Sequence, residues 1–112
     1  MMIELIVLKH LENKLSVPVS LEKLSAQTES YVVFEKTSSG KSNHLPSATI
    51  AFQSYADSLY NAVELNEKVK TAVESLIELD EIRGLTLNSD YNFTDTTTKE
   101  YRYQAVYDIR YY

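Results

Sequence analysis

The 112-residue chain contains no cysteine and no tryptophan, and only two glycines and two prolines. Without cysteine neither a disulfide nor a thiolate metal site can form, so stability has to come from packing, and a reducing compartment suits the chain. Few glycines mean few tight backbone requirements. No apolar run approaches the ~20 residues that cross a bilayer. The start, MMIELIVLKHLENKL, lacks the basic leader and small-residue cleavage site expected of a signal peptide. Positive charge is not in excess either: the net charge is −5, which disfavours sequence-independent binding to DNA or RNA phosphates.

What the chain does have is tyrosine, nine of them, and each ring offers an apolar body with a polar tip for contact surfaces. An apolar content of 44% over this length predicts one domain, residues 1–112, with a core of useful size and no room for a second module.

Residues 47–81 organise the rest. Residues 47–56 are β-branched, aromatic or small, with Ile50 and Phe52 on one face and Ala51, Gln53 and Tyr55 on the other, which predicts a half-buried strand. Asp57 and Ser58 offer side-chain oxygens to the unpaired N–H groups of a helix start. Leu59, Ala62, Val63, Asn66, Val69, Ala72, Val73, Leu76 and Ile77 then follow at helical spacing, one apolar stripe interrupted by Asn66. The other side carries Glu64, Glu67, Glu74 and Glu78. Residues 57–81 hold seven acids against Lys68 and Lys70, so this segment alone carries 2 − 7 = −5, while residues 1–56 and 82–112 are each neutral. A solvated helix side explains that acidity, and so does a face that repels nucleic acid or meets a basic partner.

Toward the start, Ile3, Ile6, Val7, His10 and Leu11 recur at helical spacing, with Leu5 and Leu8 widening the stripe, which predicts a first helix over residues 2–13. Pro18 forbids helix beyond Asn13 and favours an edge strand with Val17 and Val19 on one side. Residues 22–30 are polar and aperiodic. YVVFEKT, residues 31–37, predicts a strand with Val32 and Phe34 on one face, and residues 38–46 read as a loop longer than a tight turn requires, a candidate hairpin arm. After the long helix, expected to end near Leu79, Ile82, Arg83 and Gly84 mark a break. A strand is expected from Leu85 to Tyr91 or Phe93, then a Thr-rich turn. From Tyr101 to Tyr112 the alternation is nearly strict, predicting the antiparallel partner of that strand. The predicted class is α+β, in the order α-β-β-β-α-β-β: an antiparallel or mixed sheet of about four to five strands with two helices on one face.

No constellation for catalysis is visible. Ser39-Gly40-Lys41-Ser42 imitates the end of a phosphate-binding loop, but the leading glycine position holds Glu35 and the motif runs into a strand rather than a helix. His10 and His44 lie far apart, Asp80 and Glu81 read as a helix-end pair, and no serine sits in a glycine-flanked elbow, so the expectation is no enzyme, no metal and no cofactor. The tyrosine row of the last strand has only Arg102 and Arg110 among it, which favours packing over base stacking.

The string IAFQSYADSLYNAVELNEKVKTAVESL resembles the corresponding segment of the small tail completion, or tail terminator, proteins of long-tailed bacteriophages and prophages. LNSDYNFTDTTTKEYRYQAVYDIRY resembles their closing strand pair, and IELIVLKHLENKLSVPV resembles their first helix and edge strand. The resemblance implies a structural protein that caps the finished tail tube and forms the joint with the head connector. It would work as a six-membered ring, in the virion neck after assembly in the host cytoplasm. Its implied partners are further copies, the tail tube protein and the head connector protein, without specific nucleic-acid binding or a membrane. On that analogy the arm, Ser39, Gly40, Lys41, Ser42, Asn43 and His44, reaches a neighbour, with Tyr101, Tyr103 and Tyr112 as further interface residues. Glu64, Glu67, Glu74 and Glu78 would then face a lumen through which DNA slides. The rival expectation is a small protein-binding module that uses an exposed sheet edge.

Overall fold

The computed structural model describes residues 2–22, 30–42, 44–98 and 100–112; most of the polar stretch at 22–30 lies outside the described residues. The elements are α1 (Ile3–Lys14), β1 (Val19–Ser20), β2 (Tyr31–Ser42), β3 (Leu45–Ala56), α2 (Leu59–Glu74) extended by a 3-10 turn (Ser75–Glu78), β4 (Ile82–Asn92) and β5 (Tyr101–Tyr111). This is the α+β order expected from the sequence. The sheet runs β1-β2-β3-β5-β4, with β1 parallel to β2 and every other pair antiparallel.

β5 pairs with β4 as its alternation predicts, and it also pairs with β3 from Ser47↔Arg110 to Ala56↔Tyr101. It is therefore the inner strand between them. The helix-side core takes alternate residues, Ala48, Ile50 and Phe52 of β3, Val32 and Phe34 of β2, and Ala105, Tyr107 and Ile109 of β5. Ala51 and Tyr55 of β3 and Tyr31 and Val33 of β2 are buried on the other face, so β3 is more than the half-buried strand expected. Phe52 ties the strands together, its ring 5.6 Å from Phe34 and 6.0 Å from Tyr107. The helices cover this one face. α1 buries Ile3, Ile6, Val7 and Leu11 there, and the Glu4–Lys36 ion pair at 3.3 Å holds its first turn against β2.

Three expectations are corrected. Residues 38–46 are not a loop: β2 continues through Ser42 and β3 starts at Leu45, in register from Ser38↔Thr49 to Ser42↔Leu45 past a bulge at Thr37. His44 completes the turn with φ of 67°, a left-handed conformation that histidine adopts more readily than most side chains. Ser38, Gly40 and Ser42 turn their backbone toward β3 while Ser39 and Lys41 alternate to the outer edge, a strand pattern that composition alone does not reveal. The second correction concerns β4. It begins at Ile82 rather than after Gly84, because the break read at Arg83 is a bulge inside the strand. Third, the buried stripe of α2 is Ala62, Leu65, Asn66, Val69, Ala72 and Val73, with Leu76 following. Leu59, Val63 and Ile77 are exposed instead, and the α-helix ends at Glu74 rather than near Leu79.

At ~3.4 Å per residue, a 12-residue strand reaches about 40 Å. That is close to the longest dimension, 43 Å, of a molecule 25 and 22 Å across in the other two. β1 covers only Val32 and Val33 of β2.

Candidate functional site

The expected interface residues fall into two groups. Ser39, Gly40 and Lys41 are exposed along the far half of β2, Ser42 ends that strand, His44 is exposed at the turn, and Asn43 lies outside the described residues. These gather at one end of the sheet, where Tyr112, 70% exposed, follows β5. Tyr101 and Tyr103 do not join them, because β5 places both half-buried at the opposite end, level with Ala56 and Ser54 of β3.

The acidic row is exposed, and three of its four members are engaged. Glu64 pairs with Lys68 at 3.7 Å and Glu67 with Lys70 at 2.6 Å, while Glu74 accepts the Tyr107 hydroxyl at 2.7 Å. Surface pairs of this kind contribute ~0.5 kcal/mol each, so they orient the row more than they stabilise it. Burial and then the Glu74 carboxylate push the Tyr107 hydroxyl well above its usual range.

α2 is anchored to β4 by a polar cluster that sequence spacing does not disclose. Asn66, 2% exposed, donates from Nδ2 to Asp90 at 2.8 Å, and Lys70 reaches the other Asp90 oxygen at 2.6 Å. The hydrogen bonds to Asp90 and Glu67 hold the Lys70 ammonium above its usual range. Its only sequence signal is the polar interruption of the stripe at Asn66.

Among the described residues, the nearest approach to a nucleophile and base is His10 with Ser75. Nε2 of His10 lies 2.6 Å from Ser75 Oγ, and that hydroxyl donates its one proton to the Ala72 carbonyl, also at 2.6 Å. With its proton so placed, Ser75 accepts from His10. The pair clamps α1 to the end of α2, and burial, then Lys14, lower the His10 pKa. A shallow groove of about 310 Å³ beside His10 also takes in Lys9 and Glu81, and a larger one of about 510 Å³ lies between Leu15, Val17, Leu65 and Ala72, rimmed by Lys14 and Lys68. Among the described residues no three His, Cys, Asp or Glu side chains are grouped to hold a metal ion.

On the face away from the helices, one row of rings and charge crosses the sheet. Tyr31 stacks on Tyr55 with ring centres 4.6 Å apart. Arg102 comes next, donating to the Tyr55 hydroxyl at 2.9 Å and covering the Phe93 ring at 4.5 Å, and Phe93 meets Tyr91 edge-on. Gln53, Gln104 and Tyr91 extend the row by hydrogen bonds. These contacts use Arg102 for cross-strand packing.

Among the described residues the geometry thus presents two long strand edges, the far half of β2 and the outer side of β4, that pair with no other strand. No helix among the described residues is long and apolar enough to cross a membrane. No protein-family model matches the chain, and no curated protein is significantly similar to it.

Proposed function

We propose that this protein is a structural assembly piece of a long-tailed bacteriophage or prophage. Copies of it close the end of the tail tube as a ring and present the surface that joins the head connector. The observation that carries this reading is the pair of strand edges left open for neighbours among the described residues, the far half of β2 and the outer side of β4. The element order and the three strings that resemble the tail completion proteins support it. The acidic row on α2 suits a surface past which DNA moves without sticking. Ser39, Gly40, Lys41 and His44 act at the neighbour or the tube, in a virion neck.

The test adds purified protein to tubes of the tail tube protein encoded beside it and images them by negative-stain electron microscopy. A ring at one tube end is expected. Removing Lys41, Ser42, Leu45 and Pro46 together, which shortens the hairpin while keeping Gly40 opposite Ser47, is expected to abolish capping. A chain that stays monomeric at every concentration and binds neither tube nor connector protein overturns the reading in favour of a small sheet-edge binding module.

A further inference from the structure

We infer that the outer edge of β4 in one copy pairs, antiparallel, with the far outer edge of β2 in a second copy, so that the sheet continues from molecule to molecule. This rests on the reading that copies of the chain assemble, and it names the surfaces that would join them.

Among the described residues β4 has a single neighbour, β5, and β2 beyond Val33 has only β3. Backbone alternation tells which groups face outward. Val32 donates its N–H across to Pro18 on the β1 side at 2.9 Å. Phe34 and Lys36 therefore point the same way, and past the bulge so do Ser39 and Lys41. On β4, Phe93 donates inward to Arg102 at 2.9 Å. Asp90 therefore turns outward and, past the bulge at Asn88, so do Leu87 and Leu85. Residues 34–42 and the 11-residue β4 are edges of matching length.

Position and charge agree with this choice. Within the sheet β2 runs opposite to β4, so a second copy set alongside in the same orientation meets β4 with the antiparallel geometry that bonds best. Ser42 and Ile82 lie at the same end of the sheet. That brings Lys41 of the second copy beside Asp80 and Glu81, while its β1 falls level with the far end of β4. Residues 36–46 carry two lysines and no acid, and residues 80–95 carry Asp80, Glu81, Asp90 and Asp95 against Arg83, giving +2 against −3. Lys36 and Asp90 are paired within their own copy. Lys41 and the Asp80–Glu81 pair stand at the end where they would meet. Leu87, 43% exposed, and Tyr91, 40% exposed, flank the β4 edge on its two faces, and an added strand would cover both. The two edges belong to opposite sides of one sheet, so the contact is head-to-tail, the kind that closes into a ring when the rotation allows. The bulges at Thr37, Arg83 and Asn88 break each edge into short runs, which restrains free copies from stacking without limit.

The absence of cysteine makes a clean test available. Ser39→Cys and Leu87→Cys proteins are prepared separately, mixed at high concentration and treated with a short bismaleimide. The mixture is expected to give a covalent dimer that neither protein gives alone. Adding Lys41→Glu to the first protein is expected to lose the dimer, and adding Glu81→Lys to the second to restore it. A mixture without dimer, a dimer from Leu87→Cys alone, or a dimer indifferent to Lys41→Glu overturns the pairing. Because the cross-link needs no tail tube, copies that couple by these edges yet never cap a tube sink only the functional reading. Copies that cap a tube without the mixed dimer sink only the edge pairing.

Discussion

Asn66 shows how one buried side chain ties a helix to a strand. It lies within the buried stripe of α2, where an apolar residue is the ordinary choice, and its Nδ2 is used on Asp90 while its Oδ1 is buried without a hydrogen-bond partner. An orphaned acceptor of this kind costs ~1–3 kcal/mol, so the amide is tolerated for the bond on its other side. Asn66→Leu removes both the bond and the orphan, and Asp90 keeps Lys70; chemical denaturation is expected to move by less than about 1 kcal/mol. Asn66→Asp keeps the shape but sets a buried carboxylate against Asp90, and a loss of about 3–5 kcal/mol at neutral pH is expected. Burial and the neighbouring carboxylate raise the pKa of the new group, so that loss is recovered on acidification, as its proton returns. The interruption at Asn66 was legible in the sequence. Its partner was not, because Asp90 is 24 residues away and no local periodicity links the two.

At the scale of elements, the start of α2 was readable because a cap is a local event. Ser58 accepts from the Asn61 backbone N–H at 3.1 Å, as expected, whereas Asp57 binds the Asn61 side chain instead at 2.8 Å. Ser58→Ala is expected to cost about 1 kcal/mol in a thermal or chemical melt, and Asp57→Ala less, since it leaves the helix N–H groups capped. Strand identities over residues 31–37, 47–56 and 101–112 were equally legible, each from alternation that the core then used. Residues 38–46 were misread because serine, glycine, lysine and proline resemble a loop in composition. Their strand character comes from the register imposed by Phe34 and Phe52 farther along the hairpin, a tertiary effect. The displaced stripe of α2 has a similar origin. Leu59 and Val63 fit the helical spacing as well as Leu65 does, and only the sheet decides which side is covered.

For the whole molecule, helix and strand order followed from the sequence, but the placement of β5 between β3 and β4 depends on which edges meet, which alternation does not encode. That placement brings the Tyr107 hydroxyl to Glu74 at 2.7 Å, and the fold has shifted titrating groups at both ends of the pH range. Burial and Lys14 hold the His10 pKa below its ordinary 6.5. The unfolded chain therefore takes up a proton there before the folded one does, and stability falls as pH drops through that value. Asp95 acts in the same direction: the Thr97 and Thr98 N–H groups hold its carboxyl below 3.8, a contribution present above the unfolded value and lost as pH falls through the folded one. At the alkaline end, the Tyr107 hydroxyl ionises in the unfolded chain near 10.0 and only well above that when folded. The bonds of Lys70 to Asp90 and Glu67 are present below 10.5 and lost as pH rises through its higher folded value. Both alkaline terms remove stability as pH rises. Melting temperatures measured across pH are thus expected to form a plateau between roughly pH 7 and 10 with a shoulder on each side. His10→Gln should flatten the acid shoulder nearest 6.5, and Tyr107→Phe the alkaline one. Since Asp90, Glu67 and Glu74 all bear on Tyr107, an alkaline shoulder unchanged in Tyr107→Phe would mean that α2 does not sit over β5 in solution as it does here.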